Sequence, residues 1–141
     1  TPWKIKMDSY IPGWAIVDLK VVESLTKLKW VRDMGYLDFV RYWGYDIQGA
    51  VYQEIVRQNT GEKLPFFIAG ATKQTEPDIR IIHVTDNYLQ EALHMVEMNM
   101  PRILRVKNGE VEPDRCELCD CCRHNRVLKK PISIMDLTAG I

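Results

Sequence analysis

One run of residues constrains the fold of this chain more than any other. Trp14 to Val22 is apolar at every position except Asp18 and Lys20, and a Pro12-Gly13 turn joins it to a second strand-like stretch that begins with Trp3 to Asp8. A strand that is apolar on both faces belongs in the middle of a sheet, where a charged residue needs a reason to be present. Two residues apart, Asp18 and Lys20 leave the same face roughly 7 Å from one another. With the turn centred on Pro12, Asp8 is expected across from Ile16 and diagonal to Asp18, so two carboxylates and one ammonium share a patch.

Two hard oxygen ligands at a strand end suit a Mg²⁺ or Mn²⁺ ion that must also keep waters and a phosphate oxygen. A lysine beside them can hold or deprotonate the attacking water and offset charge on the phosphorus. The pattern points to hydrolysis of a phosphodiester. The triplet alone carries nothing, because 19 acids and 10 lysines in 141 residues make about one acid-x-lysine match a chance event. Its weight comes from an apolar strand that follows a hairpin bearing another aspartate. The plain alternative is a charge pair at a strand end facing solvent.

Leu25 to Met34 reads as a short amphipathic helix or a loop. Leu37, Val40, Arg41, Ile47, Gln48, Val51, Tyr52 and Ile55 then recur at helical spacing, interrupted near Gly44 and closed by Gly61. Leu64 to Thr72 and Asp78 to Val84 read as strands separated by a turn over Gln74 to Pro77. Thr85 or Asp86 caps a helix running to about Ile103, with Leu89, Ala92, Leu93, Val96 and Met100 on its buried face. The order β-β-α-β-β-α predicts an α/β domain with a mixed central sheet flanked by helices. Residues 1–110 form the expected core and residues 111–141 a cysteine-containing tail of the same domain.

Lys plus Arg and Asp plus Glu number 19 each, so a polyanion must be met by a local basic patch, and a histone-like binder is excluded. No apolar run approaches the roughly 18 residues of a membrane span, and no leader opens the chain, so a cytoplasmic protein without a membrane partner is expected. The chain begins at Thr1 in strand-like sequence, and further residues are expected upstream. Trp3, Trp14, Trp30 and Trp43 are read as core or rim residues, with base-stacking platforms as the alternative, and His83 and His94 as structural.

Gln48 and Tyr52 lie one helical turn apart on a shared face. Five glutamines and six tyrosines make a Gln-x-x-x-Tyr match a chance event only about 0.2 times. An amide and a phenol aimed at an acidic metal site can orient a nucleotide phosphate or fix the lysine. The alternative is an ordinary amphipathic face with Tyr52 in the core.

These three elements, Asp8, then Asp18-Leu19-Lys20, then Gln48 to Tyr52, resemble the PD-(D/E)XK nuclease superfamily, specifically its RecB-type branch and the phage and prophage exonuclease VIII (RecE-like) group. The wording Ile16 to Lys20 and Gly44 to Tyr52, Lys73 before a proline turn, and the Cys-x-x-Cys-x-x-Cys-Arg tail carry the likeness over nearly the whole chain. The resemblance implies a restriction-endonuclease-like core and a Mg²⁺- or Mn²⁺-dependent DNA exonuclease acting in phage or prophage recombination. Asp8, Asp18 and the Leu19 carbonyl would be metal ligands, Lys20 would activate water, and Gln48 and Tyr52 would support the site and contact DNA. It also implies a bacterial cytoplasmic setting, ring-like homo-oligomers and a single-strand annealing protein as partner. The family's helix before the first strand, which carries a further acid or histidine, is not in this sequence. A rival reading is a non-catalytic DNA-binding or scaffold module that keeps the nuclease fold; a zinc-dependent regulator of other ancestry is a second.

Cys116, Cys119 and Cys122 repeat at three-residue spacing, with Cys121 and His124 nearby. Such soft ligands suit Zn²⁺ or an iron–sulfur cluster, and free thiols are the alternative. Some RecB-type nucleases hold an iron–sulfur cluster on three such cysteines and one upstream. Arg115, Arg123, Arg126, Lys129 and Lys130 around the cluster are candidates to grip phosphates, and a solvated charged tail is the alternative.

Overall fold

The computed structural model describes residues 2–117, 119–128 and 130–135. The chain divides into two compact units, Thr1–Pro101 and Arg102–Ile141.

In the first unit, β1 (Ser9–Ile11) and β2 (Ala15–Val22) form an antiparallel hairpin, and β3 (Lys29–Val31) and β4 (Gly35–Leu37) form another. Two helices follow, α1 (Phe39–Tyr42) and α2 (Tyr45–Thr60), then β5 (Phe66–Thr72), β6 (Ile79–Val84) and the long helix α3 (Asp86–Lys107). The main sheet has the order β1-β2-β5-β6. Its central pair, β2 and β5, is parallel from Ile16↔Phe66 to Val22↔Thr72, and both outer pairs are antiparallel. Parallel neighbours need a long crossover, and the β3–β4 hairpin with α1 and α2 supplies it. The mixed α/β architecture is the one expected.

Of the helix or loop expected over Leu25 to Met34, the loop holds for residues 25–28, and a strand and a turn take up residues 29–34. Met34 N–H donates to Val31 O at 3.2 Å, Asp33 takes a positive φ of 66°, and Trp30 meets Tyr36 edge-on across the hairpin at 5.2 Å. A cross-strand aromatic pair outweighs a weak amphipathic pattern in so short a segment. The interruption at Gly44 and the stop at Gly61 fall where periodicity placed them, and Asp38 caps α1 by accepting from Val40 and Arg41 N–H at 3.0 Å.

Ile16, Phe66 and Ile68 are fully buried beneath α2 residues Ala50 and Val56 and α3 residues Leu89 and Ala92. Each such large side chain stabilises the fold by about 1.5–3 kcal/mol. Further along α3, Leu93, Val96 and Met100 are half-buried, and the helix runs one turn beyond Ile103. Strand β2 is central in the sheet but closed on one face only. Leu19 and Val21 remain 61% and 54% exposed. All four tryptophans are about half exposed or more, so they are rim residues.

The second unit carries the end of α3 and a short helix, α4 (Asp120–His124). Among the described residues, no helix is long and apolar enough to cross a membrane.

Candidate active site

The turn between β1 and β2 sets the geometry of the acidic patch. Trp14 N–H donates to Ile11 O at 3.0 Å, with Pro12 and Gly13 between them and Gly13 at φ 71°. Proline supplies the fixed φ of the second turn position, and glycine the positive φ of the third. The hairpin therefore pivots on Gly13, not Pro12, and its partners are Tyr10↔Ile16 and Ser9↔Val17. The expected pairing of Asp8 with Ile16 is two residues out. Asp8 instead lies one step past Ser9↔Val17, which brings it alongside Asp18.

Strand β1 begins only at Ser9, so the strand expected over Trp3 to Asp8 is not formed there, and the Asp8 side chain takes over the next backbone donor. Leu19 N–H donates to Asp8 Oδ2 at 2.9 Å. A strand residue sends its N–H and C=O toward the same neighbour. The Leu19 carbonyl therefore faces the same open edge as Asp8.

Asp18 is 2% exposed, and Lys20 Nζ lies 2.5 Å from its Oδ2. That ammonium is the counter-charge of Oδ2, a buried carboxylate oxygen for which the described residues supply no other partner. Burial pushes the Asp18 carboxyl above the ordinary range, Lys20 pulls it back, and the Asp8 charge raises it again. A buried oxygen with a free lone pair, an exposed second carboxylate and a nearby carbonyl form a donor set of hard oxygens that fits Mg²⁺ or Mn²⁺.

Helix α2 braces this patch. Gln48 Nε2 donates to Asp18 Oδ1 at 3.2 Å and to Tyr52 Oη at 2.8 Å, and Tyr52 Oη donates to Lys6 O at 2.6 Å. The amide fixes the carboxylate, and the phenol ties the amide to the segment before Asp8. Tyr45 joins them, with Lys20 Nζ 4.6 Å from its ring centre. The structure thus gathers Asp8, Asp18, Lys20, Gln48 and Tyr52 at one place. Sequence reasoning missed Tyr45, although it sits three residues before Gln48 on the same helical face. The Lys6 carbonyl left no signal, because a backbone acceptor is independent of residue type.

The cysteines are described within the second unit alone. Sγ atoms of Cys116, Cys119 and Cys122 lie within 4.8 Å of one another, and Cys121 is outside this set. Cys119 N–H points to Cys116 Sγ at 3.3 Å and Cys122 N–H to Cys119 Sγ at 3.4 Å, while Cys116 and Cys122 Sγ are 3.8 Å apart. Four sulfurs about 2.3 Å from one ion stand about 3.8 Å apart, so the spacing fits a single soft cation. The Cys122 N–H pulls the Cys119 thiol down, but the adjacent Cys116 and Cys122 thiols and burial outweigh it and hold the thiol above its usual range. Of the basic residues nearby, Arg115 and Arg126 pair with Glu117 and Arg123 pairs with Asp120, whereas Lys129 lies outside the described residues.

A family model for a PDDEXK-like domain of unknown function (DUF3799) matches residues 1–125. The crystal structure of a protein from Eubacterium rectale, named "Putative exonuclease", aligns with 99% of this chain at 95% sequence identity and a TM-score of 0.89. This chain spans 52% of that protein, about half of its length. No curated protein matches.

Proposed function

The chain belongs to the PDDEXK-like domain family, and from that premise we propose that it is the core of a divalent-metal-dependent DNA exonuclease. The observation that carries this reading is the convergence of Asp8, Asp18 and Lys20 under the brace of Gln48 and Tyr52. Asp8, Asp18 and the Leu19 carbonyl would hold Mg²⁺ or Mn²⁺. The ion, when bound, would neutralise phosphate charge and make a water acidic enough to attack at neutral pH. Lys20 orients that water and offsets charge on the phosphate oxygens from beside Asp18. Gln48 fixes the Asp18 carboxylate through Oδ1 and leaves Oδ2 for the ion. Tyr52 anchors the amide, so the ligand does not swing away when Lys20 moves toward DNA. The likeness to the exonuclease VIII (RecE-like) group and the name of the Eubacterium rectale protein support DNA ends as substrate. The same likeness supports a setting in phage or prophage recombination, with ring-like assembly and a single-strand annealing partner.

The test is digestion of linear duplex DNA by the full-length protein with Mg²⁺. Wild type degrades the DNA, and Asp18→Ala or Lys20→Ala abolishes degradation while thermal melts report folding. An inactive wild type, or variants that degrade DNA equally, would overturn the reading in favour of a non-catalytic module.

The three-thiol cluster supports a second metal of structural type. Its single-ion spacing favours Zn²⁺ over an iron–sulfur cluster, whose thiolates bind separate irons. One equivalent of zinc per purified full-length chain is the expected result, and colour with bound iron would reverse the choice.

A further inference from the structure

At the carboxyl ends of the parallel strands β2 and β5 lies a cleft of about 290 Å³. Open α/β sheets take their ligands in the crevice beyond such strand ends. Lys27, Lys29 and Lys73 border the cleft, and Trp43 and Tyr45 form an aromatic wall. The one acid in its lining, Glu23, is paired with Lys27 at 3.2 Å. Lys29 and Lys73 have no carboxylate partner among the described residues. Lys29 Nζ lies 4.6 Å from the Tyr42 ring centre and 4.8 Å from that of Trp43, so its charge is held over aromatic faces instead. Lys73 follows β5 directly, and its N–H donates to Val22 O at 3.0 Å, which brings its stem beside the end of β2.

Strand β2 and Tyr45 link the cleft to the acidic patch. Asp18, Lys20 and Val22 share one face of β2, the first two in the patch and Val22 in the cleft wall. Tyr45 serves both, with Lys20 above its ring and its side chain lining the cleft. Lys20 and Val22 are about 7 Å apart along the strand. Neighbouring phosphates of one strand can therefore occupy the patch and the cleft together. Two cations without a carboxylate partner select an anion, and half-exposed Trp43 offers a ring on which any base can stack.

Resting on the nuclease reading for the identity of the polymer, we infer that this cleft holds one unpaired nucleotide of the DNA strand beside the bond being cleaved. Its phosphate lies on Lys29 and Lys73, and its sugar and base lie against Trp43 and Tyr45. The cleft orients the strand and makes no bond, so its residues are positioning residues.

The test is binding of a short fluorescent single-stranded oligonucleotide to the full-length protein in EDTA, where neither metal nor cleavage is needed. Taking one cation away from the phosphate lowers the slope of log affinity against log salt by about 0.7, which is about fivefold in affinity at roughly 0.1 M salt. Lys29→Ala and Lys73→Ala each show that loss, whereas Lys29→Arg and Lys73→Arg keep the wild-type slope. Deoxyadenosine 5′-monophosphate competes at lower concentration than inorganic phosphate, and the oligonucleotide binds more tightly than either. An unchanged slope in the alanine variants, arginine variants that lose as much as alanine, or no binding by wild type overturns the inference. So does a mononucleotide that competes no better than phosphate. If the slopes move but the protein digests no DNA, the nuclease reading fails and the cleft stands. If the protein digests DNA and the slopes do not move, the cleft assignment fails and the nuclease reading stands.

Discussion

A single methyl group at position 49 should reach the active site from a distance. Gly49 lies on α2 next to Gln48, and a Cβ there would stand 2.3 Å from Phe66 Cδ1, where ordinary contact begins at 3.4 Å. The Phe66 ring is fully buried and meets Tyr52 edge-on at a centroid distance of 6.4 Å, so it has little room to turn. The helix must then withdraw by about 1 Å. Overpacking of this kind costs about 1–3 kcal/mol, and alanine regains up to about 1 kcal/mol of helix propensity over glycine. The net loss of up to about 2 kcal/mol lowers Tm by up to roughly 10 °C for a domain of this size. The larger effect is on chemistry. Gln48 Nε2 is already 3.2 Å from Asp18 Oδ1, and a further 1 Å ends that hydrogen bond. Misplacement by about 1 Å costs up to about 100-fold in rate. Gly49→Ala should therefore melt lower and, assayed well below both melting points, digest linear DNA tenfold to a hundredfold more slowly. A variant with wild-type Tm and wild-type digestion would refute the claim that helix–sheet contact at Gly49 positions Gln48.

Tyr52→Phe removes the donor to Lys6 O and the acceptor for Gln48, so it should cost about 1 kcal/mol and slow digestion more than it weakens Mg²⁺ binding, as separate melts, rates and titrations report. Asp18 has a raised folded-state pKa, so the unfolded chain gives up this proton first, and the stability tied to its neutral form is present below the unfolded value and lost as pH rises through the folded one. In EDTA, wild type should therefore lose stability relative to Asp18→Asn as pH rises above the ordinary aspartate range of about 4, and parallel stability curves would contradict the burial argument. Cys119→Ser should drop bound zinc well below one equivalent, while Cys121→Ser, outside the three-thiol set, retains it; equal zinc content in both would discard the cluster.

The parts of the fold legible in sequence were those fixed locally. Gly44 and Gly61 interrupt and end helices wherever they fall, and a Pro-Gly pair makes a turn whatever surrounds it. Asp18, Lys20, Gln48 and Tyr52 were legible for a related reason, since strand and helix periods alone assign them to faces. Register was not local in this way. Whether the hairpin pivots on Pro12 or Gly13 depends on which residue takes the positive φ, and that one choice moved Asp8 by two positions. The β3–β4 hairpin, with three residues per strand, was too short for periodicity to separate from a helix turn. The cleft lysines were the least visible, because the pairing of β2 with β5 brings Lys73 to the end of β2 while Lys29 comes from the separate β3–β4 hairpin.

Titration of Mn²⁺ into the full-length protein, with the bound ion followed by its magnetic resonance signal, tests most directly whether Asp8 and Asp18 share a metal. Wild type should take up one Mn²⁺ at this site, and Asp8→Asn and Asp18→Asn should each weaken that uptake at least tenfold while remaining folded. Uptake unchanged in either variant would mean that the two carboxylates do not share an ion.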